Sequence, residues 1–359
     1  MTTRRGFIAG LLAAGAAPGI GWAAVGNPAY LAAAKEPDGG FALFGLAADG
    51  SETFRVPLPA RGHAGAGHPR RAEAVAFARR PGTFAVVIDC ATGRVMQTLA
   101  PPEGVQFNGH GVFAKGGALL FTSEQRSDTS AGVIGLWDVD AGYVRIGAMD
   151  SHGIGPHDLR LMPDGKTLVI ANGGIATDPT DRTKLNLDTM RPNLSYLSLD
   201  GARVGQVELA PDLWQNSIRH LAVRADGLVG FAMQWEGAAG AAPPLLGLHR
   251  AGKAPVLASA PPAEQLAMQG YAGSIAFGGD GSELAITSPR GGRLHRFSDV
   301  GTFLGVVSRS DVCGLARHPE GLIASDGFGG MVSVIRGIAS PIARADRAWD
   351  NHIVSLSVG

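Results

Sequence analysis

The sequence predicts an all-β fold made of repeated four-stranded sheets, and three observations predict it. The chain carries 53 glycines among 359 residues, and its short β-branched runs are separated by turns. One pattern recurs: an apolar run, a glycine-centred turn, and a second apolar run. Four histidines, His110, His157, His220 and His352, each stand just before such a run, in NGHGVFA, GPHDLRL, IRHLAV and DNHIVSL.

Residues 159–174, LRLMPDGKTLVIANGG, show the pattern most clearly, and 274–292 match them closely. Shorter copies lie at 221–234, 315–330 and 111–124, and a more divergent one at 74–93. Asp-Gly between two apolar runs is a hairpin signal, because both residues tolerate positive φ. Third strands follow at 135–140, 194–200, 245–252, 293–299 and 331–337, with fourth runs such as 205–210 and 303–309. Four-stranded units at intervals of about 40–50 residues indicate a β-propeller. Six inner hairpins follow residue 60. Residues 28–59 supply AYLAAAK, FALFGLA and ETFRVPLP with no inner strand before them. The C-terminal NHIVSL supplies it, so the prediction is a seven-bladed β-propeller whose ring is closed by the C-terminal strand joining the N-terminal blade. A pair of β-sandwiches is the competing architecture. Residues 174–193 are an insertion in the fourth blade, suited to a lid over the funnel or to a surface calcium loop.

Residues 1–24 read as a twin-arginine signal peptide: Arg4-Arg5-Gly6-Phe7 precede an Ala/Gly/Leu-rich stretch and small residues near Ala24. An ordinary secretory signal is the simpler alternative. The single propeller domain then spans 25–359, in the periplasm. No later stretch approaches the roughly 20 apolar residues of a membrane span. Net charge is +0 and charged residues are 17%. That leaves no basic stripe for nucleic acid. A monomer is expected. Cys90 and Cys313 are too few for a disulfide scaffold, and their blades do not adjoin.

Alignment on the turn glycines sharpens the candidate site. His157 lies eight residues before Gly165, His110 seven before Gly117, and His220 seven before Gly227. Cys313 and Gly273 hold the same place before Gly321 and Gly281, and the second-blade equivalent falls near Glu73 and Ala74. Blade symmetry then gathers His110, His157, His220 and His352 at one mouth of the channel. His63 is expected as a loop ligand and His68 in the same loop. Neutral imidazoles suit Fe, Cu, Zn and Ni. The cofactor expected is a transition metal, iron first and copper second, or a metal chelate. Arg219 and Arg290 are candidates to bind a carboxylate or phosphate of such a ligand. Asp158 is a candidate to orient an imidazole. Cys313 is expected as a buried thiol, with a soft-ligand role as the alternative. His249, His295 and His318 read as surface residues, and Tyr271 as a packing residue.

The segments FNGHGVF, GIGPHDLRLMPDGKTLVIANGGI, LNLDTMRPNLSYL, SIRHLAV, TSPRGG, DVCGLA and WDNHIVSL resemble the DUF1513 family over most of the chain. The resemblance implies a periplasmic seven-bladed propeller in iron or other metal acquisition. It implies envelope iron-uptake partners of the imelysin-like and di-haem peroxidase-like kinds. MPDGKTLVIANGG is also similar to the YVTN-type repeat of surface-layer proteins and of the haem-d1 domain of nitrite reductase. There is no C-x-x-C-H, which excludes covalent c-type haem.

Three functions follow from these residues. The first is a non-enzymatic metal- or metal-chelate-binding propeller. The second is a metal-dependent oxidoreductase or lactonase-like hydrolase using the same funnel. For the hydrolase, Glu73, Asn108 and Asn351 are the available carboxylate and amide ligands, and G-x-S-x-G and H-E-x-x-H are absent. The third is an interaction scaffold without metal.

Overall fold

The computed structural model describes residues 20–79 and 82–356; positions 1–19 of the expected leader lie outside them. Seven four-stranded antiparallel sheets follow one another round a ring. The first blade is built from β1 (Tyr30–Lys35), β2 (Phe41–Leu46) and β3 (Glu52–Leu58), with the last strand, β28 (Ala348–Ser355), innermost. β28 pairs with β1 from Tyr30↔Ser355 to Lys35↔Ala348. The ring therefore closes as the sequence predicts. The other innermost strands are β4 (Gly62–Gly67), β8 (Val105–Ala114), β12 (Pro156–Leu161), β16 (Asn216–Val223), β20 (Ser274–Phe277) and β24 (Val312–His318).

Sheets of this kind are apolar on both faces, because each blade is covered by a neighbour on either side. The core is accordingly divided into wedges. Phe121 and Ile134 of the third blade meet Leu159 and Ile170 of the fourth. Phe231 and Met233 of the fifth meet Val169 and Leu194 of the fourth. Tyr30, Phe44 and Ile353 of the first meet Ile323 and Met331 of the seventh. The same covering corrects the reading of two histidines as surface residues. His249 and His295 lie on third strands and are buried. His249 is held between the Tyr196 hydroxyl (2.6 Å) and the Lys253 carbonyl (2.9 Å). His295 packs on Phe303.

The hairpin turns follow the expected chemistry. Gly165 has φ +66, and Asp164 accepts the amides of Lys166 and Thr167. The second blade departs from the expected register. Residues 74–93 form its second and third strands, β5 (Glu73–Ala78) and β6 (Ala85–Asp89), not its inner hairpin. The inner strand is the glycine-rich GHAGAG of β4, which has no β-branched residue to announce it.

Ring closure makes a stability prediction. Ile353 is 6% exposed and sits in the wedge between the last and first blades. Ile353→Ala is expected to cost about 2–4 kcal/mol in urea unfolding. Val95→Ala, on an exposed outer strand, should change stability by less than about 0.5 kcal/mol. Equal costs at the two positions would contradict the closed ring.

Candidate metal centre

The inner strands are irregular at one level of the funnel. Pairing of β8 with β9 (Leu119–Arg126) breaks between Phe107 and Gly111, and that of β12 with β13 (Thr167–Asn172) between Pro156 and Asp158. The breaks in β16 and β4 fall between Ile218 and His220, and between Gly62 and Gly65. In β28, Trp349 and Ile353 are paired while the three residues between them are not. A bulge leaves residues out of the ladder and re-aims their side chains. His63, His110, His157 and His352 stand inside these bulges, and His220 at the end of one. The bulge is what turns each imidazole towards the channel.

Five imidazoles meet there. The rings of His63, His157, His220 and His352 form a closed circuit. Its centroid separations are 5.4 Å (63–157), 4.7 Å (157–220), 4.8 Å (220–352) and 4.7 Å (352–63). His110 lies 4.9 to 5.9 Å from every member of that circuit. A metal–nitrogen bond of about 2.1 Å places an imidazole centroid roughly 3.2 Å from the ion. Rings about 90–109° apart round one ion are then about 4.5–5.2 Å apart. All but two of the measured separations fall between 4.7 and 5.0 Å. Donor atoms of His63, His110 and His352, and of His110, His157 and His220, lie within 4.8 Å of one another.

The donor set passes a second test. Nδ1 of His63 and His220 and Nε2 of His110 and His352 are buried with no hydrogen-bond partner. Buried polar atoms are nearly always paired, so a group of convergent orphans requires an explanation. Metal coordination supplies one. Nδ1 of His110 lies 3.2 Å from Asp158 Oδ1 and donates to it, leaving Nε2 as the donor towards the cluster. Asp158 thus orients His110. It also accepts the amides of Leu159 (2.8 Å) and, across the blade boundary, Leu221 (3.0 Å). Ser123 donates to the carbonyls of both His110 and His157, tying the third blade to the fourth at the site. Gly109, at φ +98, completes the packing: a Cβ there would meet His63 Cδ2 at 2.5 Å.

Electrostatics keep three of the rings neutral. Burial, then the neighbouring imidazoles, push His63 and His352 well below the ordinary histidine value, and His220 down to about 3. Burial alone would raise the Asp158 carboxyl, but Arg160 and His110 hold it well below the usual carboxylate range. Unprotonated imidazoles beside one fixed carboxylate are ready ligands at neutral pH.

His63, His157 and His220 line a cavity of about 260 Å³, together with Arg219, Asn108 and Asn351. His63 is on strand β4 and not in a loop, which corrects the expectation from sequence. His68 lies apart on Phe113, its Nδ1 accepting the amides of Arg70 and Arg71. Arg219 is buried against the cavity, whereas Arg290 is exposed and stacks on Tyr271, which also lines it. Glu73 is elsewhere, accepting the Tyr143 hydroxyl, so the hydrolase reading loses its carboxylate. Cys313 lies against the carbonyls of Ser325 and Asp350, and burial pushes its thiol up to about 12. Both cysteines are free. In the 174–193 insertion, Ile175, Thr177, Arg182 and Lys184 line the cavity, in keeping with a lid. Asp178 and Asp181 cap their own turns. Arg79, Arg182 and Lys184 are cavity residues that the sequence did not single out. Arg182 and Lys184 come from the insertion, and Arg79 from the turn of the divergent 74–93 copy.

The depressed histidines set a pH dependence for metal-free protein. Unfolding returns His220 and His352 to about 6.5, so below that pH the unfolded chain binds more protons. Stability from each is complete above pH 6.5 and lost as pH falls, by about 1.4 kcal/mol per pH unit. A His220→Ala/His352→Ala variant should show a shallower fall in unfolding free energy between pH 6.5 and 4.5. Parallel curves for parent and variant would contradict neutral burial.

No helix among the described residues is long and apolar enough to cross a membrane. Among curated proteins the chain has no detectable relative. Its fold is similar to that of a solved structure titled Kuenenia stuttgartiensis Hydrazine Synthase, with a TM-score of 0.58 and 13% sequence identity. That likeness covers 89% of this chain and 96% of the other. Residues 56–356 match the family model described as Protein of unknown function (DUF1513), and the chain belongs to that family.

Proposed function

We propose that this propeller binds one divalent transition-metal ion at the imidazole cluster and serves in metal handling outside the cytoplasm. The observation that carries the reading is the convergence of imidazoles in two triads that share His110, with donor atoms within 4.8 Å of one another, together with unpartnered buried nitrogens on His63, His110, His220 and His352. Nitrogen donors without a first-sphere carboxylate favour borderline ions over hard ones. Ferrous iron, copper(II) and zinc fit; ferric iron, calcium and magnesium do not. Iron is the physiological choice we favour, with copper second, either as the ion or as a small chelate. Arg4-Arg5 and the apolar run after them support twin-arginine export to the periplasm. The partners we propose there are imelysin-like and di-haem peroxidase-like envelope proteins.

A second reading, a metal-dependent oxidoreductase, has one observation in its favour. Three of the five imidazoles line an open cavity, and catalytic metal sites keep an accessible position whereas structural ones are closed.

The metal reading is tested by loading chelator-treated protein anaerobically with ferrous iron, and separately with copper(II) or zinc. After desalting, metal is measured by plasma mass spectrometry. About one ion per chain is expected for the parent and for His318→Ala. At least a tenfold loss of affinity is expected for His110→Ala/His220→Ala. Equal retention by the double variant and the parent would falsify the site. Peroxide turnover that appears on loading and vanishes in the double variant would favour the enzyme.

A further inference from the structure

The cavity beside the histidines has a second chemical character. Arg79, Arg182, Lys184 and Arg219 line it, and among the described residues no aspartate or glutamate does. Lys184 is neutralised by an ion pair with Glu236. Nearby Arg61 is likewise paired with Asp350, at 2.6 Å. Arg79, Arg182 and Arg219 have no ion pair among the described residues. Arg219 is only 8% exposed, and its Nε lacks a hydrogen-bond partner. Asn108 is wholly buried, and neither its Oδ1 nor its Nδ2 is partnered.

Burying a guanidinium away from any carboxylate costs several kcal/mol unless an anion meets it. Elsewhere in this molecule buried or half-buried arginines are matched: Arg145 makes a two-pronged pair with Glu124, and Arg296 with Glu283. Arg219 and the half-buried Arg79 are not matched in this way, Glu236 acting on Arg219 only at a distance, and both line the cavity into which the imidazoles open. The planar guanidinium fork suits the two oxygens of a carboxylate or phosphate. The amide of Asn108 supplies a further donor. A volume of about 260 Å³ equals roughly eight water molecules at about 30 Å³ each, enough for a small polycarboxylate.

We propose that this cavity is an anion subsite for a small carboxylate- or phosphate-bearing ligand, held by Arg219, Arg182 and Arg79 with Asn108. The ligand lies beside the imidazoles, so a metal-chelating polycarboxylate would engage both halves of the funnel. The anion half stands on the arginines and Asn108 and does not need the metal.

The test uses full-length protein stripped of metal, so that its failure is separable from failure of the metal site. Citrate and inorganic phosphate are titrated calorimetrically at low salt, with an uncharged polyol as control. The parent is expected to bind one or both anions and not the polyol. Arg219→Met should weaken binding at least tenfold. Arg79→Met/Arg182→Met, whose changes lie at the cavity rim, should do so with the far-ultraviolet dichroism of the parent. Arg94→Met, on an exposed outer strand, should bind as the parent does. Preference for citrate or for phosphate identifies the ligand class. No binding by the parent, or equal affinity in the parent and the rim double variant, overturns the proposal.

Discussion

The rings of His63, His220 and His352 share one buried volume with two further imidazoles only while those three stay uncharged. That constraint governs the centre of this molecule. The rings stand 4.7–5.9 Å apart, so a proton on any of these three is opposed by burial and by its neighbours. The Asp158 carboxylate lies against His110, and its position decides which nitrogen of that ring is left bare. The backbone irregularities serve the same end. Regular inner strands would direct side chains alternately into the wedges between blades, and bulges instead present the rings to the channel.

The scaffold that holds them is stiff because its core is cut into wedges, each shared by two sheets. Polar ties at the funnel reinforce the wedges, such as the Asp158 carboxylate on the Leu221 amide and the Ser123 hydroxyl on two carbonyls. The site is not symmetric within this symmetric frame. Blades one to five each contribute a histidine. At the same level the sixth and seventh offer Gly273 and Cys313, and the Cys313 sulfur is turned to backbone carbonyls. The cluster is therefore displaced towards one side of the channel.

Repetition made the fold legible in the sequence. Each Asp-Gly or Gly-Gly turn between apolar runs marked a hairpin, and the unpaired strands of residues 28–59 demanded a partner from the C-terminal segment. His110, His157 and His220 were legible because they held the same place relative to those turns, and His352 because it precedes the run that supplies the missing inner strand. His63 was misplaced because β4 is built of glycine and alanine, and nothing in GHAGAG has the β-branched character of a buried strand. The error moved the inner register of the second blade onto Glu73. His249 and His295 were misjudged because alternation along one strand does not show that both faces are covered. The arginines of the cavity rim were illegible for another reason: Arg79 lies just past the end of β5 and Arg182 in an insertion, so strand periodicity does not point to them.

The closing strand also fixes an order of events. A ribosome makes β28 after every other inner strand of the ring, and β28 carries His352. Until that segment emerges, the nascent chain holds four of the five rings, and the first blade has no innermost strand to fix its place beside the second. A complete pocket thus forms only once that last strand has paired with β1.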